Sequence, residues 1–137
     1  LRGFAQLLEQ SFRRTDIVFR AGGDEFSAFV ADIPCACVAE RICSDVIAGV
    51  ERLSAEGVPV SVSIGAAVGR PGWSYEAYYR AADQALYRTK RAGKSAYCVA
   101  VMEGRAAAAP MAAAVSERCS LPLPARKEAA PRTQPAA

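Results

Sequence analysis

Residues 15–31 read TDIVFRAGGDEFSAFVA, two strand-like stretches separated by two glycines and two carboxylates. "TDIVFRA" has the β-branched and aromatic content of a strand, "GGD" is turn chemistry, and "EFSAFVA" resumes strand composition. The stretch therefore predicts a β-hairpin with negative charge at its tip.

The flanks supply the rest of the architecture. Upstream, Leu1, Phe4, Leu8 and Phe12 recur at helical spacing with no capping residue before them, so the chain is expected to begin inside a helix. Downstream, Val38, Ile42, Val46, Val50 and Leu53 recur every three or four residues and predict a second helix from about Cys35 to Leu53. "VPVSVSIGAAV" then alternates, with Val58, Val60, Val62 and Ile64 on one face, which predicts a strand; Pro59 places its start near an edge or end. Ser74 is a cap for a third helix, with Tyr78, Ala82, Ala85, Leu86 and Thr89 on one side and "KRAGK" at its end. "SAYCVAV" is the last expected strand.

The order helix, hairpin, helix, strand, helix, strand predicts an α+β fold, an antiparallel or mixed sheet covered by helices. It resembles the later part of a ferredoxin-like βαββαβ domain with its first strand absent. Residues 1–102 are assigned to this domain. Residues 103–137 turn to alanine, proline and scattered charge without periodicity and are expected to form a disordered tail.

Composition narrows the chemistry. A chain of 137 residues suits one ordinary domain, and a net charge of +3 without a dense basic run gives no electrostatic footprint for nucleic acid. Histidine is absent, which excludes Ser-His and Cys-His nucleophilic pairs and His-based zinc sites. Cys35, Cys37, Cys43, Cys98 and Cys119 lack C-x-x-C spacing, and there is no signal peptide or long apolar span. They are expected to be reduced, mostly buried cysteines of a cytoplasmic domain. Chemistry is left to carboxylates, lysines, arginines or a metal.

At the hairpin tip, Gly22 and Gly23 permit positive φ and let a phosphate approach without a Cβ clash. Asp24 and Glu25 bring hard oxygen ligands to that open spot, a set suited to Mg²⁺ and the polyphosphates it holds.

"RAGGDEF" resembles the signature of the GGDEF-domain diguanylate cyclases, and "RRTD", "SVSIGAAV" and "AADQALYRTKRAGKSAY" match that family in order and spacing over about residues 1–101. The resemblance implies a nucleotide-cyclase-like fold in which two GTP molecules, one on each domain of a homodimer, condense into cyclic di-GMP and two pyrophosphates with Mg²⁺ or Mn²⁺. It further implies that Asp24 is a metal-ligating and catalytic carboxylate and Glu25 the essential acidic residue beside it. Gly22 and Gly23 would then let the turn approach GTP, and Lys90 and Lys94 would contact the triphosphate, although arginine is commoner at the second position. Asp83 matches an acidic position of the family, with a structural role at least as apt as a chemical one. Arg13 and Asp16 form R-x-x-D at the family's spacing for a site where cyclic di-GMP inhibits, with Arg41 of the second helix as an added member. An i,i+3 ion pair at a helix end is the plain alternative for this pair.

Family members carry, ahead of this region, a central strand with another metal-binding aspartate and positions that read guanine; none of these positions lies in this chain. The absent strand is expected between "EFSAFVA" and "VSVSIGA". The chain is accordingly expected to be part of a longer protein, inactive by itself, with any membrane anchor left to an N-terminal region and none within this chain. The alternative function is a non-catalytic domain that binds cyclic di-GMP through R-x-x-D. Asp24 and Glu25 favour the cyclase, because degenerate receptors commonly lose the acidic pair.

Overall fold

A computed structural model describes residues 2–93, 95–104 and 114–120. Helix α1 spans Arg2–Ser11 and buries Leu8, while Phe4 meets the ring of Phe26 edge-on at 5.2 Å. It ends where the Ser11 hydroxyl donates back to the Leu7 carbonyl at 2.8 Å, competing with continuation of the helix.

Strands β1 (Ile17–Gly22) and β2 (Glu25–Phe29) form the expected antiparallel hairpin, with Ile17 opposite Phe29 and Gly22 opposite Glu25. The register shifts between Arg20 and Gly22, a bulge that twists the strand just before the tip.

Helix α2 (Ala36–Ala55) is rotated slightly from the expected face. Ala39, Cys43, Val46, Ile47 and Val50 are buried, whereas Val38 and Ile42 are only half-buried. Strand β3 (Ser63–Gly69) begins later than the alternation from Val58 suggests: Val58 is exposed, and Pro59 has no N–H to donate to a ladder.

Helix α3 (Tyr75–Ala92) starts as expected, with Ser74 Oγ accepting the Ala77 N–H at 3.2 Å. Strand β4 (Ala96–Glu103) then runs parallel to β3, from Ser63 opposite Ala96 to Gly69 opposite Met102, so that β3, α3 and β4 make one crossover unit.

This sheet is covered on both faces. Ala96, Cys98, Ala100 and Met102 of β4 share the buried face toward α3, where Ala81 and Ala85 join the same cluster. Val99 packs with Ala39 and Cys43 of α2 on the other side, beside Ile64, Ala66 and Val68 of β3. Burial on both faces explains why "AYCVAVM" is a nearly continuous apolar run and does not alternate. Gly65 lies where β3 meets α3: a Cβ there would run into the Ala82 carbonyl and the Leu86 amide. Thr89, buried on α3, places its hydroxyl 2.9 Å from the Ala85 carbonyl and 3.1 Å from the Ile64 carbonyl, tying helix to strand.

Two further sequence expectations need correction. Within the stretch read as a disordered tail, Ala114–Ser120 forms a strand, β5, antiparallel to β4; the remainder of the tail lies outside the described residues, apart from Glu103 and Gly104. The unpaired edge of β4 gives this polar heptapeptide a partner that its own composition does not announce. The cysteines are not all reduced either: Cys35 is bonded to Cys37 and Cys98 to Cys119, leaving Cys43 as the free, buried thiol.

The mixed α+β architecture agrees with expectation. Its strands fall into a hairpin sheet and a three-stranded sheet in the order β3-β4-β5, with no ladder joining the two among the described residues. None of the helices described is long and apolar enough to cross a membrane.

Candidate functional site

The hairpin tip is a two-residue loop, Gly23 and Asp24, closed by the Gly22–Glu25 pair. Only Gly23 takes a positive φ, +50°, the value such a loop needs at its first central position. Gly22 ends β1 with ordinary backbone, and a Cβ at either glycine would have nothing within 4 Å. The tip is thus open to a ligand on both residues. Arg20 braces it, its guanidinium donating through Nε to the Gly23 carbonyl at 2.8 Å. Phe26, on the far side of Glu25, anchors the hairpin to α1 through Phe4.

Glu25 faces a cleft of about 490 Å³ whose other walls come from α3: Asp83, Gln84, Leu86, Tyr87, Arg88, Lys90 and Arg91. The fold therefore brings two predicted site residues, Glu25 and Lys90, into one cavity. Asp24 stands exposed at the tip, outside its lining, and Lys94 lies outside the described residues. Asp83, set aside in the sequence reading, is a cleft residue.

Arg88, Arg91 and Tyr87 were missed by that reading. Their signal was helical spacing with Lys90: positions 83, 84, 87, 88 and 91 share one side of α3. The lining carries three cations, Arg88, Lys90 and Arg91, and two carboxylates, Glu25 and Asp83; with Arg88 paired to Glu117, the remaining charges are evenly matched. The Arg91 guanidinium lies 5.9 Å from the centroid of the Tyr87 ring, and Arg88 forms an ion pair with Glu117 of β5.

The donor set at the tip is two exposed carboxylates from consecutive residues. The one cluster of three residues of ligand type among the described residues, Cys98, Glu117 and Cys119, is elsewhere, and its two sulfurs are bonded to each other. Two hard oxygens without a third protein ligand fit Mg²⁺, which keeps water and phosphate in its remaining positions, and Mn²⁺ in the same role.

R-x-x-D adopts a definite local structure. The Asp16 carboxylate accepts the Arg13 backbone N–H at 2.8 Å, and the Asp16 N–H donates to the Arg13 carbonyl at 3.0 Å. The contact is an aspartate-braced turn and not a side-chain ion pair; among the described residues the Arg13 guanidinium has no carboxylate partner. Arg41, exposed on α2, forms no hydrogen bond or ion pair with Arg13 or Asp16.

Comparison with known proteins gives the same direction as the geometry. The family model described as diguanylate cyclase, GGDEF domain, matches residues 1–96. The diguanylate cyclase DgcS of Shewanella oneidensis is 37% identical over 99 residues, covering 71% of this chain and 32% of that protein. The diguanylate cyclase DosC of Escherichia coli K12 is 36% identical over 99 residues, covering 69% of this chain and 22% of its own length. The diguanylate cyclase DgcM of the same strain is 33% identical over 96 residues, with coverage of 69% and 23%. The chain thus spans at most about a third of these relatives. No solved structure matches it significantly.

Proposed function

The chain belongs to the GGDEF-domain diguanylate cyclase family, and on that premise we propose that a protein carrying this segment condenses two GTP molecules into cyclic di-GMP and two pyrophosphates. The observation that carries the proposal is the shared cleft, lined by Glu25 of the hairpin and Lys90 of α3, beside a glycine turn with open space where side chains would be.

Each group has a chemical task. Gly22 and Gly23 admit the triphosphate close to backbone, and Lys90 sets a compact positive charge against it, joined by Lys94 from the segment after α3. Asp24 and Glu25 would hold a divalent cation, Mg²⁺ or Mn²⁺, which would supply neutralising charge to the triphosphate. Tyr87, Arg91 and Leu86 wall the cleft and keep the nucleotide in one orientation. The 3′-hydroxyl of one GTP attacks the α-phosphate of another held on a second copy, so the active unit is a homodimer. In this reading water and phosphate oxygens complete the coordination that the two carboxylates begin.

Arg13 serves regulation in this reading. Its guanidinium is free of carboxylates among the described residues, while its backbone is pinned by Asp16, a disposition suited to a phosphate or guanine edge of cyclic di-GMP. The test of function is incubation of the purified complete protein with GTP and Mg²⁺ and chromatography of the nucleotides. Cyclic di-GMP and pyrophosphate are expected; their absence from a dimeric, folded preparation overturns the proposal.

A further inference from the structure

Strand β5 lies beyond the residues matched by the family model, and it makes little core of its own. Val115, Ser116, Arg118 and Cys119 are exposed. Besides the ladder to β4, it is held by Arg118 to Glu40 of α2 at 3.3 Å, by Ser116 to Glu103 at 3.2 Å, and by the ion pair of Glu117 with Arg88. Ion pairs whose arginine is this open to water contribute little each. The covalent link is different. Cys119 stands directly opposite Cys98 in the β4–β5 register and is bonded to it, with Glu117 two residues away on the same face.

From this juxtaposition we infer that Cys98 and Cys119 form a thiol–disulfide exchange site that latches β5 onto β4 and thereby holds Glu117 against Arg88, a cation of the nucleotide cleft. The reactants are small-molecule thiols and disulfides. Cys119 is exposed and Cys98 buried, so Cys119, as thiolate, attacks the external disulfide and expels one thiol. Cys98, as thiolate, then attacks the Cys119 sulfur of the mixed disulfide and expels the second. The two electrons and two protons leave the protein in the two released thiols, and an excess of small thiol reverses the sequence. In the oxidised state Arg88 is neutralised by Glu117. Once β5 is released, Arg88 adds its charge to Lys90 and Arg91. This second half rests on the polyphosphate reading of the cleft.

The experiment uses the full chain with Cys35 and Cys37 both replaced by serine, equilibrated with oxidised glutathione or with dithiothreitol. After oxidation, peptide mapping without reduction should recover residues 98 and 119 cross-linked. Amide hydrogen exchange over 115–120 should then speed up by about a hundredfold on reduction, since the link closes a loop with a sequence separation of 21. Cys119→Ser, a change at an exposed position, should show the fast exchange without reductant. Free alkylation of both thiols after oxidation, or exchange indifferent to reduction, overturns the latch. So does zinc that blocks both thiols and protects β5 in the reduced chain, which makes the site a metal site. For the coupling, inorganic triphosphate should bind about threefold or more tightly after reduction, and Glu117→Gln should reproduce that gain with the disulfide intact. Equal affinity in both states overturns the coupling. No triphosphate binding in either state overturns the cleft reading instead, leaving exchange over 115–120 to decide the latch.

Discussion

Glu25, the first residue of β2, and Lys90, in the last turn of α3, line the same cleft although they come from distant parts of the sequence. In the proposed function the carboxylate would serve as a cation ligand and the ammonium as a phosphate contact in one place. That arrangement makes the first prediction specific.

Glu25→Gln in a complete cyclase carrying this segment should lower cyclic di-GMP turnover by about a hundredfold or more, the scale for losing one electrostatic partner of the reacting phosphate. Glu25 is exposed, so stability should change by no more than about 0.5 kcal/mol. Steady-state rates and denaturant midpoints measured on the same preparation check both halves. Unchanged turnover would assign the chemistry elsewhere.

Arg13→Ala should relieve product inhibition without abolishing synthesis. Its side chain contributes no ion pair among the described residues, and the bond to Asp16 uses the backbone N–H, which alanine retains. The loss of one or two charge-assisted hydrogen bonds to cyclic di-GMP, about 1.5–3 kcal/mol each, should lower its affinity at least about tenfold. Calorimetry on wild type and variant checks this. Asp16→Ala is expected to behave differently, weakening both affinity and the turn.

Much of this was legible in the sequence because each element carried its own local signal. The hairpin announced itself through glycine and β-branched residues, and α3 through the Ser74 cap. What was not legible depended on long-range packing. A spacing of three or four residues along α2 suits Val38 and Ile42 as well as Ala39 and Cys43; contact with Val99 of β4 selects the second set. "AVSERCS" has strand form only because β4 offers an edge, and the pairing of Cys98 with Cys119 appears only once that register exists. At the candidate site, the glycine turn could be read directly and Lys90 through the family resemblance, whereas Arg88, Tyr87 and Arg91 gained meaning only when α3 was set beside Glu25.

The glycines divide by their surroundings. Gly65→Ala should destabilise the fold by about 1–3 kcal/mol, because the new methyl meets backbone atoms of α3 that cannot turn aside. Gly23→Ala should cost about 1–2 kcal/mol from its positive φ. Gly22→Ala, with open space and ordinary φ, should leave stability within about 0.5 kcal/mol of wild type while weakening GTP binding by crowding the phosphate. Chemical denaturation of the set, with nucleotide titration of Gly22→Ala, checks the order.

Cys43 makes stability depend on pH on the alkaline side. Burial against β4 pushes its thiol from 9.0 up to about 12, with the nearby Glu40 charge adding to the rise and a backbone hydrogen bond opposing it. A raised acid holds its proton in the folded chain after the unfolded chain has released it, so folding is favoured fully below pH about 9. This contribution is lost as pH climbs from about 9 through about 12. Tyr97, raised by its own partial burial and by Glu40 and Cys43, acts with the same sign. Denaturant midpoints should therefore be insensitive to Cys43 ionisation between pH 7 and 8 and fall above about 9. In Cys43→Ala the midpoint should start lower, from the loss of a buried sulfur, and fall less steeply with alkali. Equal slopes in the two proteins would show that the thiol is not held in its protonated form by the fold.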